Sequence, residues 1–182
     1  MKKMPVRQFD FNLKIETERL LLRPFTMEDL DDFSRICADP EVMRFIGEGI
    51  PLDKEAVKQR MESWISLYKE QGFGLLALTL KENKKLIGFC GLIQQIVDGE
   101  AYIELGYRLD RDYWGKGIAT KVALIMKDYA FQHLEIPYLI SIIHVDNLAS
   151  KSVVQKIGMN LLERTLFKDV LVDVFYIKST LL

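Results

Sequence analysis

Tyr102–Thr120, YIELGYRLDRDYWGKGIAT, is the stretch on which the reading of this chain turns. Tyr102 to Leu109 alternates like a strand, a polar turn follows with Gly115 and Gly117 on either side of Lys116, and a helix opens at Ile118. Glycine has no side chain, so the turn can adopt backbone angles closed to other residues and come close to a ligand. The N–H groups of Ile118, Ala119 and Thr120 are then the unpaired donors of a helix start, where the helix dipole favours negative charge. Strand, glycine turn and helix N-terminus together make a phosphate cradle.

Upstream, Arg19–Phe25 (RLLLRPF) reads as a first strand at a sheet edge, ending near Pro24. Thr26 offers a helix cap with Asp29 three residues on, and Leu30, Phe33, Ile36 and Cys37 follow at helical spacing. A short helix is expected over Val42–Phe45 and a longer one over Asp53–Tyr68, stopped by Gly72. Phe73–Leu80, Leu86–Ile96 and Ala101–Leu109 are strands on tight turns and should pair antiparallel. After the glycine turn, Ile118, Val122, Met126 and Ala130 mark a helix of roughly 17 residues, ~25 Å long. Leu139–Val145 is an apolar, β-branched strand. The strand–helix–strand unit implies a parallel, right-handed crossover. A helix over Leu148–Ile157 stops at Gly158, and strands near Asn160–Phe167 and Val170–Ser179 close the chain. The class is mixed α/β, not doubly wound.

At 182 residues the chain suits one domain, read as a lead-in over 1–14 and a domain over 15–182. A net charge of −1 argues against a nucleic-acid partner, which needs a basic surface. Cys37 and Cys90 have neither metal-ligand spacing nor a disulfide framework, which fits a reducing compartment. MKKMPVRQFDFNLK has charge but no apolar core, unlike a secretory signal. No apolar run approaches the ~18 residues of a membrane span. The expectation is a cytoplasmic protein with no membrane partner and no metal.

Two phosphate-binding motifs are excluded. A Walker loop needs Gly-x-x-x-x-Gly-Lys-Ser/Thr, which is absent. A Rossmann turn follows a first parallel strand and needs a third glycine or alanine, where this chain has Thr120 after an antiparallel meander.

The element order, with the glycine turn after the fourth strand, resembles the GCN5-related N-acetyltransferase (GNAT) family. ETERLLLRPFTMEDLDDFSRI and ADPEVMRFI resemble the start of its branch of ribosomal-protein N-terminal acetyltransferases. IELGYRLDRDYWGKGIAT resembles that branch's fourth strand and cofactor loop, and DNLASKSVVQKIGM the helix after its fifth strand. The resemblance covers nearly the whole chain. It implies a single GNAT-like domain with a mostly antiparallel sheet, one parallel strand pair and helices on both faces. It also implies acetyl-coenzyme A as acetyl donor and an amine as acceptor, with a peptide N-terminal α-amine favoured and a small amine as the alternative.

The family loop pattern is Gln/Arg-x-x-Gly-x-Gly/Ala; Gly115 and Gly117 fit, whereas Asp112 replaces the Gln/Arg. Backbone amides from Gly115 to Thr120, including those of Lys116, Ile118 and Ala119, can still hold pyrophosphate. By resemblance, the backbone of Tyr107, Arg108 and Leu109 pairs with the pantetheine arm, and Asn147 matches the asparagine that holds pantetheine or aligns the acetyl group. The Leu109 N–H is the expected oxyanion donor.

Direct acetyl transfer needs an amine deprotonated, a developing oxyanion stabilised and a departing thiolate protonated. Glu104, on the strand leading to the loop and sharing a face with Tyr102 and Gly106, is the leading base, acting through water. The competing reading makes it a structural charge. The tyrosine acid of many family members falls at Val154. Ser150 matches the serine of the ribosomal-protein branch and is the substitute acid, with a helix-start packing role as its alternative. Lys116, Lys121 and Lys151 are candidates to reach coenzyme A phosphates. His144, His133, Cys90 and Trp114 read more simply as structural or solvated residues. Trp64, Tyr68 and Phe73 are aromatic candidates for an acceptor wall, although the helical stripe puts Trp64 and Tyr68 mostly in the core. An exposed strand edge or the closing hairpin leaves a homodimer open. Asp112 and the missing tyrosine also leave open a non-catalytic acyl-coenzyme A sensor.

Overall fold

Alternating apolar residues and tight turns lay down a mixed sheet. The computed structural model describes residues 9–180, so residues 1–8 of the expected lead-in lie outside it. β1 (Ile15–Glu16) and β2 (Leu20–Pro24) form a hairpin closed by Thr17, whose Oγ1 accepts the Leu20 N–H at 3.0 Å. A 3-10 turn at Met27–Asp29 follows, and the Asp29 carboxylate accepts the Thr26 N–H at 2.9 Å, the capping contact the sequence suggested. α1 spans Leu30–Cys37. α2 spans Pro40–Met43, starting earlier than expected because Asp39 caps it and Pro40 is already set for the first helical position. α3 (Lys54–Gln71) starts at Asp53, which accepts the Ala56 N–H at 2.8 Å, and ends at left-handed Gly72.

β3 (Leu75–Leu80), β4 (Leu86–Val97) and β5 (Glu100–Leu109) form the expected antiparallel meander. After a 3-10 turn at Arg111–Tyr113 come α4 (Ile118–Gln132), β6 (Tyr138–His144), α5 (Leu148–Lys156), β7 (Asn160–Phe167) and β8 (Val170–Lys178). The eight strands form one sheet in the order β1-β2-β3-β4-β5-β6-β8-β7. Among the described residues, only β5 and β6 are parallel neighbours. This is the single α/β domain expected.

Each face buries its own helices. On one, Phe33, Ile36 and Cys37 of α1 and Val57 and Met61 of α3 pack with Phe89 of β4. On the other, Val122, Met126 and Ala130 of α4 cover Leu92, Leu105 and Leu139. The tip of the β4–β5 hairpin leans over β7, where Asp98 accepts a hydrogen bond from the Thr165 hydroxyl at 2.9 Å.

Some expectations are corrected. β2 is not an edge strand, because Ile15–Glu16 turns back to pair outside it. The lead-in packs on the domain from Phe9 onward: the Phe9 ring stacks on Tyr68 with centroids 4.4 Å apart. Tyr68 is fully buried and donates its hydroxyl hydrogen to the Leu75 carbonyl while accepting the Phe25 N–H at 3.0 Å. Burial pushes that phenol up to about 12. Phe73 is also buried, so neither ring lines an acceptor wall.

One ion cluster fixes α5 on the sheet. Asp173 of β8, only 4% exposed as a side chain, meets Lys151 of α5 at 2.5 Å and Arg164 of β7 at 2.7 Å. Lys151 also donates to the Val145 carbonyl at 2.6 Å, so this lysine is committed to structure rather than free to reach a phosphate. The Arg164 hydrogen bond, with Lys151 behind it, lowers the Asp173 carboxyl from 3.8 to about 2. A depressed carboxyl stabilises the fold above its unfolded value and loses that contribution as pH falls through its folded one. Asp173→Asn is therefore expected to cost about 2–3 kcal/mol at pH 7, at or below the usual range for breaking a buried pair because Arg164 is largely exposed. Urea denaturation should show the gap from wild type closing between pH 4 and pH 2; a gap independent of pH contradicts the assignment.

Candidate active site

The parallel pair β5–β6 has a single register pair, Glu104 with Ile140, and then separates. A group that would extend the ladder is used otherwise. The Leu105 carbonyl accepts from the Ser141 hydroxyl at 2.7 Å. The Ile142 N–H lies close enough to the Glu104 carboxylate to favour its charged form.

Register fixes where the exposed peptide groups of β5 point. The Asp110 N–H bonds the Ile87 carbonyl at 2.8 Å, so the Leu109–Gly88 pair beside it is a non-hydrogen-bonded one. The same alternation turns the peptide groups of Arg108 toward Phe89 and those of Tyr107 away from β4. Tyr107 and Leu109 thus direct their N–H groups into the opening. The Leu109 carbonyl is taken by the Trp114 indole N–H at 3.0 Å, which ties the loop to the strand end. Among the three residues Tyr107, Arg108 and Leu109, the backbone of Arg108 belongs to the ladder and does not face the opening.

Below the opening lies the glycine turn. Asp110 accepts the Asp112 N–H at 3.1 Å and pairs with Arg35 of α1 at 2.8 Å, which pins the turn to the helical face. Gly115 and Gly117 have φ of 70° and 73°, and a Cβ on either would meet nothing within 4 Å. Their requirement is the left-handed backbone, not crowding. Gly117 caps α4 without a side chain, and the Lys121 N–H bonding the Gly117 carbonyl at 3.0 Å is the first helical bond. The N–H groups of Ile118, Ala119 and Thr120 are left to a ligand. A cavity of about 630 Å³ borders this helix start and carries Arg19, Lys116 and Lys121. Lys116 also lies over the Tyr113 ring at 5.3 Å. No residue of β6 or α5 lines that cavity, so it flanks the strand opening rather than filling it.

α5 closes the opening from the α4 side. Asn147 caps it, accepting the Ser150 N–H at 3.1 Å through Oδ1. The Tyr107 hydroxyl donates to the Ser150 carbonyl at 3.0 Å, so β5 and the first turn of α5 are held together. Burial drives the Tyr107 hydroxyl well above its ordinary value. Val154, at the place of the family tyrosine, is fully buried core.

Glu104 and Gly106 share the α1–α3 face, as the strand alternation implied. Burial raises the Glu104 carboxyl, opposed by a 2.8 Å hydrogen bond from Gln95, the Ile142 N–H and the charge of Lys168 in the β7–β8 turn. A Cβ at Gly106 would meet only Leu75 Cδ2, at 4.0 Å, so the surface beside Glu104 is hollow. On β6, His144 faces Phe45, with ring centroids 5.1 Å apart, and accepts the Asp146 N–H at 3.1 Å. Gln95, Lys168, Phe45 and the Arg108 side chain were not among the site residues read from sequence. Gln95 alone gave a signal, as a polar residue in an apolar strand. Among the described residues, no group of three or more His, Cys, Asp and Glu side chains could hold a metal, and no helix is long and apolar enough to cross a membrane.

The profile of the Acetyltransferase (GNAT) domain matches residues 19–160. The uncharacterized N-acetyltransferase p20 of Bacillus licheniformis is 30% identical over 135 residues, covering 74% of this chain and 75% of its own. The solved acetyltransferase of Agrobacterium tumefaciens str. C58 is 28% identical with a TM-score of 0.77, covering 92% of this chain and 95% of its own. The ribosomal L7/L12 α-N-protein acetyltransferase RimL, solved with coenzyme A, shares the fold at 17% identity and a TM-score of 0.74, covering 92% and 98%. Because the profile match runs through every element from β2 to α5, the chain belongs to the GNAT family of acetyltransferases.

Proposed function

We propose that this enzyme uses acetyl-coenzyme A to acetylate a primary amine directly, with no acyl-enzyme. The observation that carries the reading is the pair of peptide N–H groups, Tyr107 and Leu109, turned into the β5–β6 opening directly above an uncapped helix start. A cofactor with phosphates at one end and an amide-bearing arm fits both at once. Acetyl-coenzyme A supplies an acetyl group activated as a thioester. The amides of Ile118, Ala119 and Thr120 hold its phosphates, with Lys116 and Lys121 adding charge. The β5 edge takes the pantetheine arm as an added strand. Leu109 lies one residue from the loop and therefore meets the arm near the phosphates. Tyr107 lies deeper and closer to Glu104, which makes its N–H, rather than that of Leu109, the better placed oxyanion donor.

Glu104 takes the amine proton through water as nitrogen attacks the thioester carbonyl. The C–S bond then breaks, the leaving thiolate takes the Ser150 hydroxyl proton, and the proton held by Glu104 returns through water to restore that hydroxyl; Asn147 and Tyr107 hold the Ser150 backbone in place. The first candidate acceptor is a peptide N-terminal α-amine, from the resemblance to the ribosomal-protein branch and the α-N activity in the name of RimL; small amines are the alternative. The free, buried Cys37 and Cys90 suit a cytoplasmic setting. Any homodimer contact is assigned to the edge strand β7, where Leu161 and Leu166 are more than half exposed.

Release of free thiol from acetyl-coenzyme A over a panel of amines and N-terminal peptides tests the reading. Wild type should turn over on at least one acceptor, and Glu104→Gln should lower kcat about 100-fold or more. The variant keeps the size of the side chain and an oxygen to accept the Gln95 hydrogen bond. Wild-type rate should rise with pH through the elevated Glu104 carboxyl, and the variant should lose that acidic limb. Unchanged turnover removes Glu104 as base, and binding without turnover on every acceptor favours the sensor, to which buried Val154 already points. A second test is Gly117→Ala, which forces a Cβ into the left-handed region at a cost of about 1–2 kcal/mol. Calorimetry should show coenzyme A binding weakened about tenfold; equal affinity contradicts the cradle.

A further inference from the structure

Arg108 stands on the same strand face as Glu104 and Gly106, and it is only 8% exposed. Its side chain is the mechanism's unused charge. Arg23 pairs with Asp29 at 2.7 Å, Arg35 with Asp110 at 2.8 Å and Arg164 with Asp173 at 2.7 Å. Arg108 has no such carboxylate. One of its terminal nitrogens donates to Cys37 Sγ at 3.2 Å, and the guanidinium lies 5.3 Å from the centre of the Phe89 ring and 5.9 Å from that of Phe33. Its Nε is buried without a hydrogen-bond partner. The charge of Arg60 acts on it as well, and repels it.

A thiol and two ring faces are weak compensation for a desolvated guanidinium, whose five donors match a carboxylate or phosphate in a fork. Buried charges are ordinarily paired, and an unpaired one is costly. The cost falls beside the hollow over Gly106, two strand positions away, or about 7 Å along β5. Glu104 lies a further two positions on. An acceptor whose amine sits at Glu104 and Gly106 would bring a group of its own toward Arg108.

We propose that Arg108 is the specificity anchor of the acceptor site and that the acceptor is an amine carrying an anionic group, a carboxylate by preference. The proposal rests on the acetyltransferase reading above and narrows its acceptor class. In the free protein Cys37 and the rings shelter the guanidinium. On binding, the acceptor's anion takes the unpartnered Nε and a terminal nitrogen side by side. Phosphate offers the same acceptor geometry, and the substrate series below separates the two.

The test compares amines that carry a carboxylate, the matching carboxamide, or a phosphate at the same spacing from the amine, for several spacings, by thiol release. Wild type should favour the carboxylate over its carboxamide by tenfold or more in kcat/KM at one spacing, mainly through KM. Arg108→Met, which keeps an unbranched apolar side chain between the rings, should bring that ratio close to one. A wild type that prefers the phosphate amine shifts the ligand from carboxylate to phosphate and overturns the stated preference. Absence of any anion preference in wild type, or a preference that survives Arg108→Met, overturns the site. If Arg108→Met does not fold, Arg108→Lys, which keeps the charge but loses the fork, should lower the ratio at least threefold, and an unchanged ratio overturns the site.

Failure of the acetyltransferase reading shows itself separately, as no turnover on any amine. Glutarate and inorganic phosphate are then titrated against the thermal midpoint of the protein. Stabilisation of wild type but not of the Arg108 variant keeps the anion site, and equal behaviour of the two removes it.

Discussion

A single parallel register pair, Glu104 with Ile140, is the constraint on which the architecture turns. Beyond it no further register pair joins β5 and β6. The Leu105 carbonyl, which would continue the ladder, accepts the Ser141 hydroxyl instead. Backbone groups in a sheet must find partners or water, so two strands deprived of mutual partners at one point diverge there. The divergence leaves the amides of Tyr107 and Leu109 on an open strand edge. An extended, amide-bearing ligand can complete that edge as another strand would. A 2.8 Å hydrogen bond from Gln95 holds the Glu104 carboxylate where the two strands part.

The rest of the structure holds this opening at a fixed width. Asp173 and Lys151 clamp α5 to β8 and to the end of β6. Tyr107 reaches across from β5 to the first turn of the same helix. From the other side, Asp110 joins the loop to α1 through Arg35. These contacts tie β5 and the end of β6 to one helix, α5, and the loop to α1, which spaces the two strands where they part. The glycine turn sits beneath, exposed, with an uncapped helix start. Its free groups are backbone N–H groups, and no side chain caps them.

The sequence carried the elements almost completely, and the reasons are local. The apolar run of Leu86–Val97, the alternation in Glu100–Leu109, glycine at 72 and 117, and the Asp53 cap each act within a few residues. The glycine turn and the common face of Glu104 and Gly106 were legible for the same reason. What escaped depends on contacts distant along the chain. Phe9 docks because Tyr68 presents a ring face to it, and no local pattern reports that. Lys151 looked like a phosphate ligand until β8 brought Asp173 beneath it. Whether the amide of Arg108 or that of Tyr107 faces the opening follows from register against β4, which a strand's own sequence does not state. The Arg108 side chain escaped for a related reason: an arginine in an alternating strand looks solvated until α1 covers it.

Residue-specific amide hydrogen exchange, followed by NMR with and without saturating acetyl-coenzyme A, tests the central claim most directly. The amides of Tyr107 and Leu109 should become strongly protected when the ligand binds. The Arg108 amide between them, already bonded within the β4–β5 ladder, should exchange slowly in both states. Bound ligand with Tyr107 and Leu109 exchanging as fast as before would contradict the account.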